Sequence, residues 1–253
     1  MTLLSVSQIE NTSLLTWPAL ETVADGHWRA RFASGFSGRA NSIWAMDPDD
    51  DADASGRLDT LSARYAQHDL PALFRVTPLT GPGILQALDI AGWEAIKSSL
   101  VLTMPIAQTQ GFDGAASLYD ATDPDFLAVQ AQLNGFSPPG FATFTAILNR
   151  LESPACGIVL VADDGTPAAS LLCVQTDGIV MFFDVVTAKS LRGRGFGRRM
   201  IATGLSWGAE NGAAHAALQV QADNSAALAL YLSMGFEFRY PYHYRRKPEA
   251  PAP

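Results

Sequence analysis

The strongest patterning in the chain is the apolar run Ile179–Val186 (IVMFFDVV), followed after thirteen residues by apolar positions at helical spacing, Met200, Ile201, Leu205 and Trp207. The first reads as a buried strand and the second as a helix over Met200–Asn211. Just upstream, Gly157–Ala162 and Ala168–Gln175 are further apolar runs, separated by Asp163-Asp164-Gly165 and Asp177-Gly178. Together the three runs predict an antiparallel meander. Downstream, Leu218 and Val220 alternate as in a strand, and Asp223-Asn224-Ser225 signals a helix start. The helix Ala226–Ser233 ends near Gly235, and Phe236–Tyr244 resumes as a strand. Before the meander, Asp125–Leu133 and Phe141–Leu151 read as two helices around the turn NGFSPPG.

The first hundred residues carry similar elements. Residues 1–25 can hold one helix, interrupted at Trp17-Pro18, and Trp28–Phe32 and Ser42–Met46 read as short strands. A helix over Arg57–His68, a strand Leu73–Val76, a helix Ile84–Ile90 and a strand within Trp93–Met104 follow. This half ends as the second does: ALDIAGWE (87–94) aligns with LYLSMGFE (230–237), at an offset of 235 − 92 = 143 positions. Gly92 pairs with Gly235, Trp93 with Phe236 and Leu88 with Tyr231. A repeat of this length predicts two related domains, 1–105 and 115–253, joined by a linker at 106–114.

The chemistry concentrates between the strand Ile179–Val186 and its helix, in TAKSLRGRGFGRR (187–199). Glycines at 193, 195 and 197 let backbone amides turn inward, and arginines stand at 192, 194, 198 and 199. A helix N-terminus adds unpaired amides and partial positive charge, so the loop suits a phosphate or pyrophosphate. It is not a dinucleotide fingerprint, because Met200 occupies the third glycine position, and no Gly-Lys-Ser/Thr of a P-loop occurs. Arg192, Gly195 and Gly197 fit R-x-x-G-x-G instead, and Val220, Asn224, Ala227, Tyr231, Gly235 and Phe236 fit V-x-x-x-N-x-x-A-x-x-x-Y-x-x-x-G-F. With both motifs in order, the second half resembles the GNAT acetyltransferase superfamily.

The resemblance implies an α+β fold of two GNAT-like domains, each a mixed, largely antiparallel sheet flanked by helices. It implies acetyl-CoA as donor and an amine of a small molecule or peptide as acceptor. Backbone groups of Val185, Val186 and Thr187 would meet the pantetheine arm. Arg192, Gly193, Arg194, Gly195, Phe196, Gly197 and Arg198 would hold the pyrophosphate, with Asn224 beside them. Tyr231 falls on the family tyrosine that gives the departing thiolate its proton. Asp184, a carboxylate among apolar neighbours, is either the general base or a hydrogen-bonded structural group, and His215 is a strand residue. The turn NGFSPPG (134–140) would border the acceptor site or serve as a rigid turn. In place of the arginine-glycine loop the first half has the acidic Asp47–Ser55 (DPDDDADAS), so it resembles a GNAT domain that has lost its cofactor loop. An alternative reading is a non-catalytic acetyl-CoA-binding sensor or scaffold, against which Tyr231 argues.

Composition narrows this in three ways. Seventeen basic against 25 acidic residues give a net charge of −8, which disfavours nucleic acid and suits a cationic acceptor. The acidic loop lacks the spacing of a calcium-binding EF-hand, so a solvated loop and no metal are expected. Two cysteines, Cys156 and Cys173, no Lys or Arg before Arg29 and no apolar run near ~18 residues predict reduced thiols, no membrane span and a cytoplasmic protein.

Overall fold

A computed structural model of the chain describes residues 3–107, 109 and 111–248. The first half contains α1 (Val6–Thr16), β1 (Glu21–Asp25), β2 (Trp28–Phe32), β3 (Ile43–Ala45), α2 (Ala54–Gln67), β4 (Leu73–Val76), α3 (Pro82–Ile90) and β5 (Glu94–Pro105). The second contains β6 (Ala116–Asp120), α4 (Pro124–Asn134), α5 (Pro138–Leu148), β7 (Ala155–Val161), β8 (Pro167–Thr176) and β9 (Ile179–Thr187). It closes with α6 (Phe196–Glu210), β10 (His215–Gln221), α7 (Ser225–Ser233) and β11 (Glu237–Arg246). His215 is thus a strand residue, as expected.

All the strands join one 11-stranded sheet, in the order β1-β2-β3-β4-β11-β5-β10-β9-β8-β7-β6. Only β3/β4 and β9/β10 run parallel, which makes the sheet mixed and largely antiparallel, with helices on its faces. The two halves build it jointly. β11 lies between β4 and β5, while β5 lies between β11 and β10, so the closing strand of each half is inserted into the other.

The sequence repeat is also a repeat of conformation. Each half runs strand, helix, strand, helix, strand, and the paired glycines Gly92 and Gly235 both adopt left-handed φ, +69° and +96°. The amide of Trp93 donates to Leu88 O at 2.9 Å, as that of Phe236 donates to Tyr231 O at 3.1 Å. Such a helix stop needs a residue free of Cβ strain, and glycine supplies it.

Four hydrophobic clusters among the described residues hold the assembly, one of them, with Trp28, Phe74 and Trp93, wholly within the first half. α6 packs on β8 and β9 through Gly204 and Gly208, where an added Cβ would lie 2.8 Å from Leu171 and 2.6 Å from Val180. On the opposite face, Phe126 of α4 lies directly over Gly157 of β7. α1 buries Ile9 against Val101, Tyr240 and Tyr242. It also buries Glu10, which pairs bidentately with Arg75 at 2.9 Å and accepts from the Tyr240 hydroxyl at 2.6 Å. Burying such a pair is tolerable only because each charge meets its partner. Cys156 and Cys173 are free thiols, opposed across β7 and β8, and burial pushes the Cys156 thiol up to about 11. Among the described residues no helix is long and apolar enough to cross a membrane.

Candidate active site

The site begins where two parallel strands part. β9 and β10 pair from Ile179↔His215 to Phe182↔Leu218 and no further, although β9 continues to Thr187 and β10 to Gln221. A bulge in β9 coincides with the parting. Pairing with β8 passes from Phe183↔Leu172 to Val186↔Ser170, so Asp184 and Val185 face a single partner residue. Asp184 adopts a left-handed φ of +47°, strain that a bulge can hold in place. The parted strands open a cleft of about 480 Å³, walled on the strand side by Val185, Val186 and Thr187.

The arginine-glycine loop forms the second wall. Gly193 and Gly195 adopt φ +76° and +84°, and a Cβ on either would meet no protein atom within 4 Å, only the open cleft. Gly195 is the N-cap of α6 without any side-chain cap. The first hydrogen bond there is from Arg199 N to Gly195 O at 3.1 Å, so the amides of Phe196, Gly197 and Arg198 remain for a ligand. Gly197 serves a different purpose: a Cβ there would come within 3.1 Å of Leu230, so its absence lets α6 and α7 approach.

The arginines divide. Arg192 lines the cleft, its Nε donating to Thr187 O at 3.4 Å, and Arg198 lines it while bonding Ser233. Arg199 does not join them: it pairs with Asp113 of the linker at 2.6 and 2.7 Å. Arg194 is exposed and stands off the cleft wall. Apolar contacts come from Ala227, which the motif named, and from Leu191, Ala226 and Leu230, which sequence reading did not single out. The signal was present, since Ala227, Leu230 and Tyr231 share one face of α7 at spacings of three and four.

α7 contributes the polar groups of the third wall. Asn224 caps it, its Oδ1 accepting from Ala227 N at 3.2 Å, and also lines the cleft. Tyr231 is 6% exposed, edge-on to Phe236 at 5.9 Å, and its hydroxyl has no hydrogen-bond partner among the described residues. Burial pushes its pKa up to about 12, so the phenol keeps its proton. Asp184 is not on the cleft wall. Its backbone O accepts from Gln130 Nε2 at 3.0 Å, and its Oδ1 lies 3.5 Å from Arg39 Nη2. Burial pushes its carboxyl pKa up, against the downward pull of Arg39.

The equivalent place in the first half is filled by its own loop. Asp53 caps α2 in a left-handed conformation, φ +50°, where Gly195 caps α6. The Asp51 carboxylate accepts from Gly83 N at 2.7 Å, at the start of α3. Asp50 bonds the His27 amide at 2.6 Å and Arg57 at 2.9 Å, and the Arg57 hydrogen bonds hold its carboxyl below the usual range. A phosphate there would meet carboxylates.

Comparison with known proteins agrees with this geometry. The family described as "Probable histone acetyltransferase Rv0428c C-terminal" matches residues 5–246. The chain belongs to this family, within the GNAT acetyltransferases. It is 28% identical over 250 residues to the uncharacterized N-acetyltransferase YobR of Bacillus subtilis (strain 168), covering 96% of this chain and 98% of that one. A GCN5-related N-acetyltransferase from Kribbella flavida shares the GNAT fold with TM-score 0.73 and 17% identity, over 96% of each chain. A tandem GNAT protein from the clavulanic acid biosynthesis pathway superposes with TM-score 0.65 and 16% identity, covering 96% of this chain and 89% of that one. The curated relative of this GNAT acetyltransferase thus covers 96% of its length.

Proposed function

We propose that this GNAT protein transfers an acetyl group from acetyl-CoA to a primary amine of a small molecule or peptide, by direct attack within a ternary complex. The observation that carries the reading is the cleft itself. It joins open loop amides at one end, the parted β9 edge along its length and a protonated Tyr231 at the other. In this reading residues 115–253 form the transferase unit and 1–105 the unit that has lost its cofactor loop.

The pyrophosphate sits on the amides of Phe196, Gly197 and Arg198, with Arg192 and Arg198 supplying charge. Charge-assisted bonds of this kind contribute roughly 1.5–3 kcal/mol each. The pantetheine arm runs along Val185–Thr187 and fills the apolar strip of α7. The amine nitrogen attacks the thioester carbonyl, the C–S bond breaks, and the Tyr231 hydroxyl gives its proton to the departing sulfur. A phenol near 12 stays protonated when the site is empty, which makes it a standing donor rather than a titrating one. Asp184, on the bulge behind the strand edge and off the cleft wall, takes through water the proton that the amine releases.

The test is release of free thiol from acetyl-CoA across a panel of primary amines, cationic ones included because the chain carries net charge −8. Amine-dependent release supports the transferase. Tight coenzyme A binding without turnover of any amine would favour an acetyl-CoA sensor instead.

A further inference from the structure

Arg39 belongs to the first half of the chain, 145 positions before Asp184 (184 − 39), yet it is the charged residue that meets Asp184. Its guanidinium lies 4.8 Å from the ring centre of Trp17 and 5.4 Å from that of Phe183. Rings at that distance hold the guanidinium by cation–π attraction. The backbone beneath it is equally fixed. Arg39 sits in a short 3-10 turn, Gly38–Ala40, and its carbonyl accepts from Arg31. The Asn41 side chain ties the same loop by accepting from the amides of Ala33 and Gly35 at 2.7 and 2.9 Å.

Among the described residues, no charged group besides Arg39 acts on Asp184. α4 contributes the neutral Gln130 amide, spent on the backbone O, and Tyr244 of β11 acts on Arg39 rather than on the carboxylate. Asp184 Oδ2 is enclosed and has no hydrogen-bond partner, and so is Arg39 Nε. A buried carboxylate without a counter-charge would take up a proton. We infer that Arg39 is a positioning residue of the transferase site, holding Asp184 ionised and oriented on the β9 bulge, so that the first half completes the site of the second. The inference rests on the reading of Asp184 as the base.

The experiment follows the Asp184 carboxyl carbon by NMR during a pH titration of full-length protein with ¹³C-labelled aspartate, its signal assigned by Asp184→Asn. In the parent the carboxyl should be ionised at neutral pH. Arg39→Gln should move its midpoint upward by about 1–3 pH units, the range expected on losing an opposite charge at this distance. Arg39→Lys should recover most of the shift. With an accepted amine, the acid limb of kcat/KM should move with the NMR midpoint. An unchanged midpoint in folded Arg39→Gln overturns the inference, since a purely packing role would not move it. Should Arg39→Gln fail to fold, an Asp184 carboxyl protonated at neutral pH in the parent overturns it equally, and an ionised one together with recovery in Arg39→Lys supports it. Full turnover by Asp184→Asn would remove the base reading itself, whatever Arg39 does to the midpoint.

Discussion

Tyr231 and Gly195 carry the sharpest expectations at the scale of single residues. Tyr231→Phe keeps the packing against Phe236 and removes one hydroxyl. General acid catalysis is worth about 10²–10⁴-fold, so turnover should fall within that range while coenzyme A affinity, measured by calorimetry, stays near the parent value. Unchanged turnover would reduce Tyr231 to core packing. Because its pKa is raised to about 12, the parent should show no alkaline loss of kcat/KM from this group around pH 10. The raised Asp184 carboxyl works in the opposite limb: its protonated form is inactive, so acidification should cost activity at a pH above the usual carboxylate range. Asp184→Asn should abolish that limb. Gly195→Val places a branched side chain at φ +84° and in the cleft, and losing one or two phosphate contacts should weaken coenzyme A by about 10–100-fold with the circular dichroism spectrum retained. Most of the cleft was legible from motifs, because R-x-x-G-x-G and the Asn–Tyr–Gly-Phe register encode backbone geometry directly. Arg199 and Arg194 were not, since adjacent residues at a helix start point in different directions. Nor was Arg39, whose distance along the chain hides a contact that only the sheet creates.

Among the elements, periodicity found every helix and most strands, and the exceptions have physical causes. β1 and β6 are short and half-exposed, so neither carries an uninterrupted apolar run. α6 begins at Phe196, four residues ahead of the apolar pattern, because a glycine in left-handed conformation starts a helix that its Gly-Arg-Arg turn does not advertise. Likewise α5 begins at Pro138, capped by Ser137, within what reads as a proline turn. The seam between α6 and β9 admits no side chain at Gly208, where a Cβ would stand 2.6 Å from Val180 Cγ1 and 3.0 Å from its Cβ. Gly208→Ala should therefore cost about 1–3 kcal/mol despite the better helix propensity of alanine. A thermal melt should register this as a fall of several degrees, and a rise would mean that the seam can open.

At the scale of the whole molecule, the two halves share a plan and differ in their loops. Asp53 stands at the N-terminus of α2, the helix end that a phosphate would need in the first half, so titration with coenzyme A should give one site per chain. Two equivalent sites would mean that the acidic loop yields. The repeat was legible from eight residues, but not the exchange of β5 and β11, because strand order is written in no local pattern. That exchange sets a timetable for synthesis. The edges of β4 and β5 that meet β11 find their partner only when Glu237–Arg246 emerges, 237 − 94 = 143 residues after β5 begins. At ~5–20 residues per second the wait is roughly 7–30 s, far longer than the time a hairpin needs to form. During it the nascent chain displays an unpaired edge of β4 and, until β10 arrives, both edges of β5, which makes this protein a natural client for whatever shields chains at the ribosome exit.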